Sequence, residues 1–157
     1  MNALLKELHA YHHEVATKIT QIKELLERIR HGSAGANDCK LLFKQLEALH
    51  GDAERHHHEN EELIRLALLA TDAPIHQRVM AIEQDHKAFT RIAGQLKMLE
   101  HSTQEARVIA DTIEDFIKKY YDHMDAEENI FFPVADKWLS DTQWQEIKLQ
   151  WHPSETS

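Results

Sequence analysis

Long amphipathic stretches with few interruptions make up most of this chain. Apolar residues recur at alternating intervals of three and four, which is the spacing of one buried face of an α-helix. In the first stretch this face reads Leu5, Leu8, His12, Val15, Ile19, Ile22, Leu26 and Ile29. Turn-forming and capping residues interrupt the pattern at 31–38, 71–74 and 102–105. We therefore predict four long helices, at about 2–30, 38–70, 73–100 and 103–136.

Short connections between long helices favour antiparallel neighbours. The sequence thus predicts an all-α fold in which residues 1–136 form an up-down-up-down antiparallel four-helix bundle. A short C-terminal fifth helix and a tail, at 137–157, are expected to pack on the same domain. The stretch "SDTQ" at 140–143 has the form of a helix N-cap, and the final "HPSETS" is typical of a loose tail.

At least one histidine interrupts the apolar inner face of every predicted helix, and the second and fourth faces also carry a glutamate. The second helix face reads Phe43, Leu46, His50, Ala53, His57, Glu61, Ile64 and Leu68. The fourth reads Phe116, Tyr120, His123, Glu127, Ile130 and Val134. The first and third faces carry one histidine each, His12 and His86. An unpaired imidazole or carboxylate inside a bundle costs several kcal/mol or has a shifted pKa, so the pattern indicates that something holds these groups.

The distances along the helices place three of the histidines at one depth. At about 1.5 Å per residue, His12, His57 and His86 lie at matching distances from the predicted turns between antiparallel neighbours. The junction before the fourth helix fits less well, with about 14 residues on one side and about 20 on the other. A longer loop or a later start of the fourth helix would bring His123 to the same level.

The converging side chains have the character of a metal site. Imidazole and carboxylate donors without thiolate suit Fe, Mn or Zn, and carboxylates shared by two metals are typical of helix bundles. Six donors are generous for one ion, so two ions are the better fit. Four neighbouring residues remain open as additional or indirect contributors: His58, His13, Glu62 and His50.

Composition narrows the classes of function. The 157 residues are 42% hydrophobic and carry a formal charge of −9, which suits one soluble domain and argues against nucleic acid or an anionic membrane as a partner. The sequence contains no apolar run long enough to span a membrane and no signal-like N-terminus, so a cytoplasmic location is expected. Its single cysteine, Cys39, excludes an internal disulfide and any CxxC redox motif. The unusual feature is the count of thirteen histidines.

Three motifs, together with a histidine in the first helix, resemble the hemerythrin-like, or HHE cation-binding, domain family over about residues 1–136. They are "HHENEE" in the second helix, "QDHKAF" in the third and "DHMDAEENIFFP" in the fourth. The resemblance implies that two non-haem iron ions are bound, with two glutamates bridging them. The ligands it implies are His12, His57, Glu61, His86, His123 and Glu127, of which Glu61 and Glu127 would be the bridges.

The chain departs from the oxygen-carrying hemerythrins at two positions. Those proteins have a second histidine one turn further along the third helix, where this chain has Thr90. They also have an aspartate five residues after the fourth-helix histidine, where this chain has Glu128 and places its carboxylate at four. The site therefore resembles the family members that sense iron or react with peroxide or nitric oxide more than those that carry oxygen.

Three functions follow from the sequence. The favoured one is a non-haem di-iron protein that binds or senses oxygen or iron. The alternative is a di-iron enzyme that reduces peroxide or nitric oxide, oxidises a substrate or repairs nitrosative or oxidative damage, using an external electron donor. In both, the expected partner is a small diatomic or peroxide ligand such as O2, NO or H2O2. The third is a structural metal such as zinc, which two bridging carboxylates disfavour.

Overall fold

A computed structural model describes residues 1–101 and 105–154 of the chain. Within these ranges the fold is all-helical and contains no strand. The helices are α1 (Ala3–Arg30), α2 (Ala36–Ala48), α3 (Asp52–Leu69), α4 (Gln77–Met80), α5 (Ile82–Glu100), α6 (Ala106–Ala126), α7 (Phe132–Trp138) and α8 (Asp141–Leu149). A π-helical segment, Glu127–Phe131, joins α6 to α7. None of the described helices is long and apolar enough to cross a membrane.

The prediction of one continuous second helix is wrong, because this stretch of the chain forms two helices, α2 and α3. The break lies at 49–51, where the N–H groups of Leu49 and His50 bond to carbonyls only three residues back, and Gly51 starts α3 from extended backbone. The predicted inner face of α3 is buried from His57 onward, and only its first turn differs from the prediction. Ala53, expected on the buried face, is exposed, whereas its neighbour Glu54 is buried.

The other helix bounds differ less from the prediction. The third predicted helix is divided into the single turn α4 and the long helix α5. Helix α6 begins at Ala106, later than expected, which is the direction needed to bring His123 level with the other histidines. The cap expected at 102–105 lies largely outside the described residues. Helix α7 crosses position 136, where the sequence predicts that the bundle ends and the C-terminal helix and tail begin. This division of the chain stays a prediction.

Two apolar clusters lie on either side of a polar layer. The first cluster packs the later part of α1 against α2, α5 and α6, and includes Val15, Ile19, Leu46, Phe89 and Phe116. The second packs the start of α1 against α3, α7 and α8, and includes Leu5, Leu8, Ile64, Phe131 and Trp144. The polar layer between them contains six buried side chains: His12, His57, Glu61, His86, His123 and Glu127.

The π-helical segment shifts the buried stripe at the end of α6. Beyond Glu127 the buried residues are Phe131 and Ala135, whereas the predicted Ile130 and Val134 are only half-buried. The N–H of Phe132 bonds to the carbonyl of Glu127, five residues back. A π turn accommodates one residue more than an α turn, so every later side chain moves one position along the face.

The C-terminal tail is pinned to the bundle at His152, so the expectation of a loose tail is wrong there. The side-chain amide of Asn60 in α3 donates to the carbonyl of His152 and accepts from its N–H, both at 2.9 Å. The imidazole of His152 lies 2.6 Å from Glu59, and the indole N–H of Trp151 donates to Glu7 in α1 at 2.9 Å. These bonds hold the chain across α1 and α3.

Candidate metal centre

The structure brings all six predicted site residues into one buried layer. Helix α1 supplies His12, α3 supplies a histidine and a glutamate, α5 supplies one histidine, and the junction of α6 with the π segment supplies the last pair. Their exposed fractions range from 0% to 8%. Helix geometry accounts for this arrangement, because residues at i and i+4 lie on the same face.

One group of four potential ligands contains His12, His57, Glu61 and Glu127. One donor atom from each lies within 4.8 Å of the others. Nε2 of His12 lies 3.1 Å from Nε2 of His57 and 3.4 Å from Oε1 of Glu127. Nε2 of His57 lies 3.2 Å from Oε2 of Glu61. These separations are typical of donor atoms around a shared ion with bonds of about 2 Å.

A second group contains His58, Glu61, His86 and His123, again within 4.8 Å of one another. Nε2 of His86 lies 3.2 Å from Oε1 of Glu61, so the two oxygens of Glu61 face different groups. His58 was left open by the sequence, and its ring stacks on that of His86 with centroids 3.9 Å apart. Glu61 thus belongs to both groups.

Glu127 also lies between the two groups. Its Oε1 atom is 2.9 Å from Nε2 of His123 in the second group and 3.4 Å from Nε2 of His12 in the first. Two carboxylates that each face histidines of both groups have the arrangement required to bridge two cations.

The donor atoms of the layer fit a metal because they lack hydrogen-bond partners. Both carboxylate oxygens of Glu61 and of Glu127, Nε2 of His86 and Nε2 of His123 are buried, and none of them makes a hydrogen bond of ordinary geometry within the described chain. Each buried polar group left unsatisfied costs about 1–3 kcal/mol. Cations placed among these atoms would satisfy them together.

Outer carboxylates fix the orientation of two of the histidines. Nδ1 of His12 donates to Glu128 at 2.7 Å, and Nδ1 of His123 donates to Asp85 at 2.9 Å. When Nδ1 carries the proton, the lone pair is on Nε2, which is the atom that points into the layer. Carboxylates behind metal-binding histidines have this role in many metal sites.

A third carboxylate, Glu62, faces Nδ1 of His86 at 3.3 Å. The sequence had left Glu62 open as a ligand, but it lies behind a histidine of the layer. The guanidinium of Arg65 holds Glu62 at 2.8 Å, and that of Arg78 holds Asp85 at 2.6 Å. The carboxylates behind His86 and His123 are therefore each held in place by an arginine.

A family model for the hemerythrin HHE cation binding domain matches residues 3–135. The chain belongs to this family. The match confirms the resemblance carried by the sequence motifs, and it covers the whole polar layer and the helices that form it. Comparisons with curated proteins and with solved structures found no match. The hemerythrin HHE family binds metal cations, and the two histidine and glutamate groups of this chain can hold them.

Burial shifts the pKa values of several ionisable side chains in the layer of this hemerythrin HHE domain. Burial lowers the pKa of His57 well below its ordinary value and lowers that of His86 to about 4. Burial and the neighbouring Glu127 raise the pKa of Glu61 well above its ordinary value. For His123 burial acts to lower the pKa, but Glu127 and Asp85 outweigh it and raise the value to about 9. Cations bound to deprotonated donors would compete with these protons.

Sequence reasoning missed Glu54, a buried carboxylate beside the layer. It accepts hydrogen bonds from the phenols of Tyr11 and Tyr120, and its Oε1 lies 2.8 Å from Nε2 of His58. Burial acts to raise the pKa of Glu54, but His58 and these bonds lower it to about 2. The Glu-x-x-x-His spacing from Glu54 to His58 was the available signal, and it is the reverse of the His-x-x-x-Glu pattern used to find the site.

Two other residues left open by the sequence lie outside both groups. His13 is exposed on α1, where its Nε2 faces that of His9. His50 is half-buried against Phe116, and its Nε2 has no hydrogen-bond partner within the described chain. Burial lowers the pKa of His50 to about 4, so its ring is neutral.

Cavities on different sides of the bundle reach the layer, and two of them border α3. One, of about 490 Å³, is bounded by α3 and α5 and includes His50, His58, His86 and Phe89 in its wall. The other, of about 270 Å³, lies beneath the pinned tail and reaches His57. Each group of donors therefore borders a cavity.

Proposed function

We propose that this hemerythrin HHE domain binds two non-haem iron ions in the polar layer and uses them to bind or sense oxygen or iron. The observation that carries the proposal is the position of Glu61, whose two carboxylate oxygens face two different sets of histidines. A carboxylate so placed is superfluous in a four-ligand structural site, but it is required where two ions share a bridge.

The first iron position would be held by His12 and His57, and the second by His58, His86 and His123. Glu61 and Glu127 would bridge them. Imidazole and carboxylate donors without thiolate favour iron over softer metals, with manganese and zinc as competitors. Iron bound there would supply a reversible change of oxidation state and a place for O2, NO or H2O2 to bind.

The chain itself controls access to the centre. The apolar clusters above and below the layer keep bulk water away from it. The half-buried ring of His58 lines the larger cavity, so a small ligand would approach the second position from that side. His58 also contacts Glu54, which competes for its Nε2 atom.

A second candidate is the reduction of peroxide or nitric oxide with electrons from an external donor. It is favoured by the pair of phenols on Glu54, because Tyr11 and Tyr120 hold two protons beside His57 and His58. Reduction of peroxide consumes protons as well as electrons, and these groups stand next to the layer.

We further propose an up-down-up-down path for the bundle. Its four arms would be α1, then α2 with α3, then α4 with α5, then α6 with the π segment and α7, and α8 would be the short fifth helix. The packing of α1 against α2 and α6, and of α5 against α2 and α6, supports this order.

Metal analysis of variants tests the proposal. Protein made in iron-replete cells is expected to hold close to two irons per chain and to absorb in the near ultraviolet. His57→Gln should reduce the iron content at the first position, and His58→Gln should reduce it at the second. Glu61→Gln should reduce the iron content at both positions. His31→Gln, at an exposed residue near the end of α1, is the matched control. One zinc per chain in a colourless protein would contradict the proposal.

Reactivity separates the two candidates. Reduced, iron-loaded protein is mixed with O2, NO or H2O2 while its optical spectrum is recorded. A stable, reversible spectral change supports binding or sensing. Repeated turnover of peroxide or nitric oxide with an added electron donor, lost in Tyr120→Phe, supports the enzyme.

A further inference from the structure

An exposed pair of histidines on α1 lies outside the buried layer. His9 and His13 are separated by one helical turn, and their Nε2 atoms are 3.1 Å apart. Both residues are exposed to solvent, and neither belongs to the two groups of buried donors. Their rings meet edge to face, with centroids 4.6 Å apart.

The proton on His9 is fixed by a carboxylate. Nδ1 of His9 lies 2.9 Å from Oε2 of Glu128, and a carboxylate only accepts hydrogen bonds. Nδ1 therefore carries the proton, and the lone pair of His9 is on Nε2, facing His13. In the absence of a cation, Nε2–H of His13 donates to that lone pair. A cation takes the place of this proton, which moves to Nδ1 of His13.

The separation of the two nitrogens suits particular cations. With metal–nitrogen bonds of about 2.1 Å, two nitrogens 3.1 Å apart subtend an angle of about 95° at the metal. Ions with octahedral or tetragonal geometry have neighbouring ligands at about this angle. Such ions include Fe²⁺, Ni²⁺ and Cu²⁺.

We propose that His9 and His13 form a surface site for one divalent transition-metal ion. Water completes the coordination of this ion, because the site lies in an open cavity of about 610 Å³. The same cavity is lined by Asp122, Asp125 and Glu128 and by no lysine or arginine within the described chain. These three carboxylates favour the approach of cations to the cavity.

The surface site is joined to the buried layer through one side chain. Oε2 of Glu128 accepts from His9, while its Oε1 accepts from Nδ1 of His12 at 2.7 Å. His12 also lines the open cavity. Within this proposal the surface site is the first binding position for a cation that enters the layer past Glu128 and His12. This role in delivery rests on the proposed function of the layer, whereas surface binding itself does not.

Nickel titration tests the surface site. The full chain, carrying no histidine tag, is titrated with NiCl2 by calorimetry in its metal-loaded and chelator-treated forms. Both forms of the wild type are expected to bind one nickel ion. The variants His13→Gln and His9→Gln should bind this ion at least tenfold more weakly. His31→Gln should bind as the wild type does, since that histidine lies outside the cavity. Equal nickel affinity in the wild type and His13→Gln would overturn the site.

Loading kinetics test the role in delivery. Apo protein is mixed anaerobically with a low concentration of Fe²⁺, and the approach to the final iron content is followed. His13→Gln should load several-fold more slowly than the wild type and His31→Gln, but reach the same content. An unchanged rate would overturn delivery. Failure of the buried centre would appear differently, as low final iron in all three proteins with the nickel result intact.

Discussion

Asp85 accepts a hydrogen bond from Nδ1 of His123 at 2.9 Å, across the contact between α5 and α6. Arg78 holds the same carboxylate oxygen at 2.6 Å. The positions of His123 and of its lone pair therefore depend on a residue that is not itself a ligand in either group.

Replacing that carboxylate should weaken metal binding without unfolding the domain. Asp85→Ala is expected to lower metal affinity by about 10- to 100-fold, which is the usual effect of losing such an outer partner. Competition with a chelator of known affinity measures this change. Asp115→Ala, which removes an exposed partner of Lys119 on α6, is the control. Equal affinity in both variants would show that His123 needs no orientation by Asp85.

Removal of metal should destabilise the domain. The layer contains buried donors without hydrogen bonds, so we expect apo protein to be several kcal/mol less stable than loaded protein. Thermal melts at neutral pH before and after chelation measure the difference. Lowering the pH should release the metal as the imidazoles take up protons. Coincident melts of the two forms would mean that the polar layer is stable without cations.

The two phenols on Glu54 should each stabilise the fold. Tyr120→Phe leaves a buried carboxylate with one donor fewer, at an expected cost of about 1.5–3 kcal/mol in the free energy of unfolding. Tyr11→Phe should cost a comparable amount, because it removes the other donor. Tyr121→Phe is the control, since its ring contact with Lys23 is preserved. Urea unfolding at neutral pH measures all three, and equal stability of Tyr120→Phe and the control would contradict the prediction.

His50 should make the apo protein sensitive to acid. Its pKa is about 4 in the folded chain and about 6.5 when unfolded. Between these values the unfolded state binds more protons, so the stability due to neutral His50 is present above pH 6.5 and is lost as the pH falls towards 4. We expect apo wild type to lose on the order of 1 kcal/mol more than His50→Gln between pH 7 and pH 5. Parallel pH profiles would show that His50 does not contribute.

The convergence of most of the layer residues was predictable because it depends on helix geometry. A three-and-four spacing fixes which side chains share a face, and equal distances from turns fix their depth. The structure places His12, His57 and His86 together as that reasoning expects, and His123, whose level the spacing left open, lies in the same layer with α6 beginning later than predicted. Their action as iron ligands stays a prediction.

The other features of the fold and the site depended on local breaks in the helices, which a regular spacing of apolar residues does not reveal. Just after the interruption at 49–51, Glu54 is buried and Ala53 is exposed, and the π segment replaces Ile130 with Phe131 on the buried face. Asp85 and Glu62 lie off the predicted faces and reach the histidines from behind. Their role depends on the pairing of neighbouring helices, which a single helix pattern does not contain.

The polar layer divides the hydrophobic interior of the domain into two clusters. Cations in this layer would cross-link α1, α3, α5 and α6 at the level where apolar packing is interrupted. With metal bound, the two ends of the bundle would unfold as one cooperative unit. Without it, each end would open independently, and amide hydrogen exchange would report two opening free energies in place of one. Metal in this domain would therefore set the number of cooperative units as well as their stability.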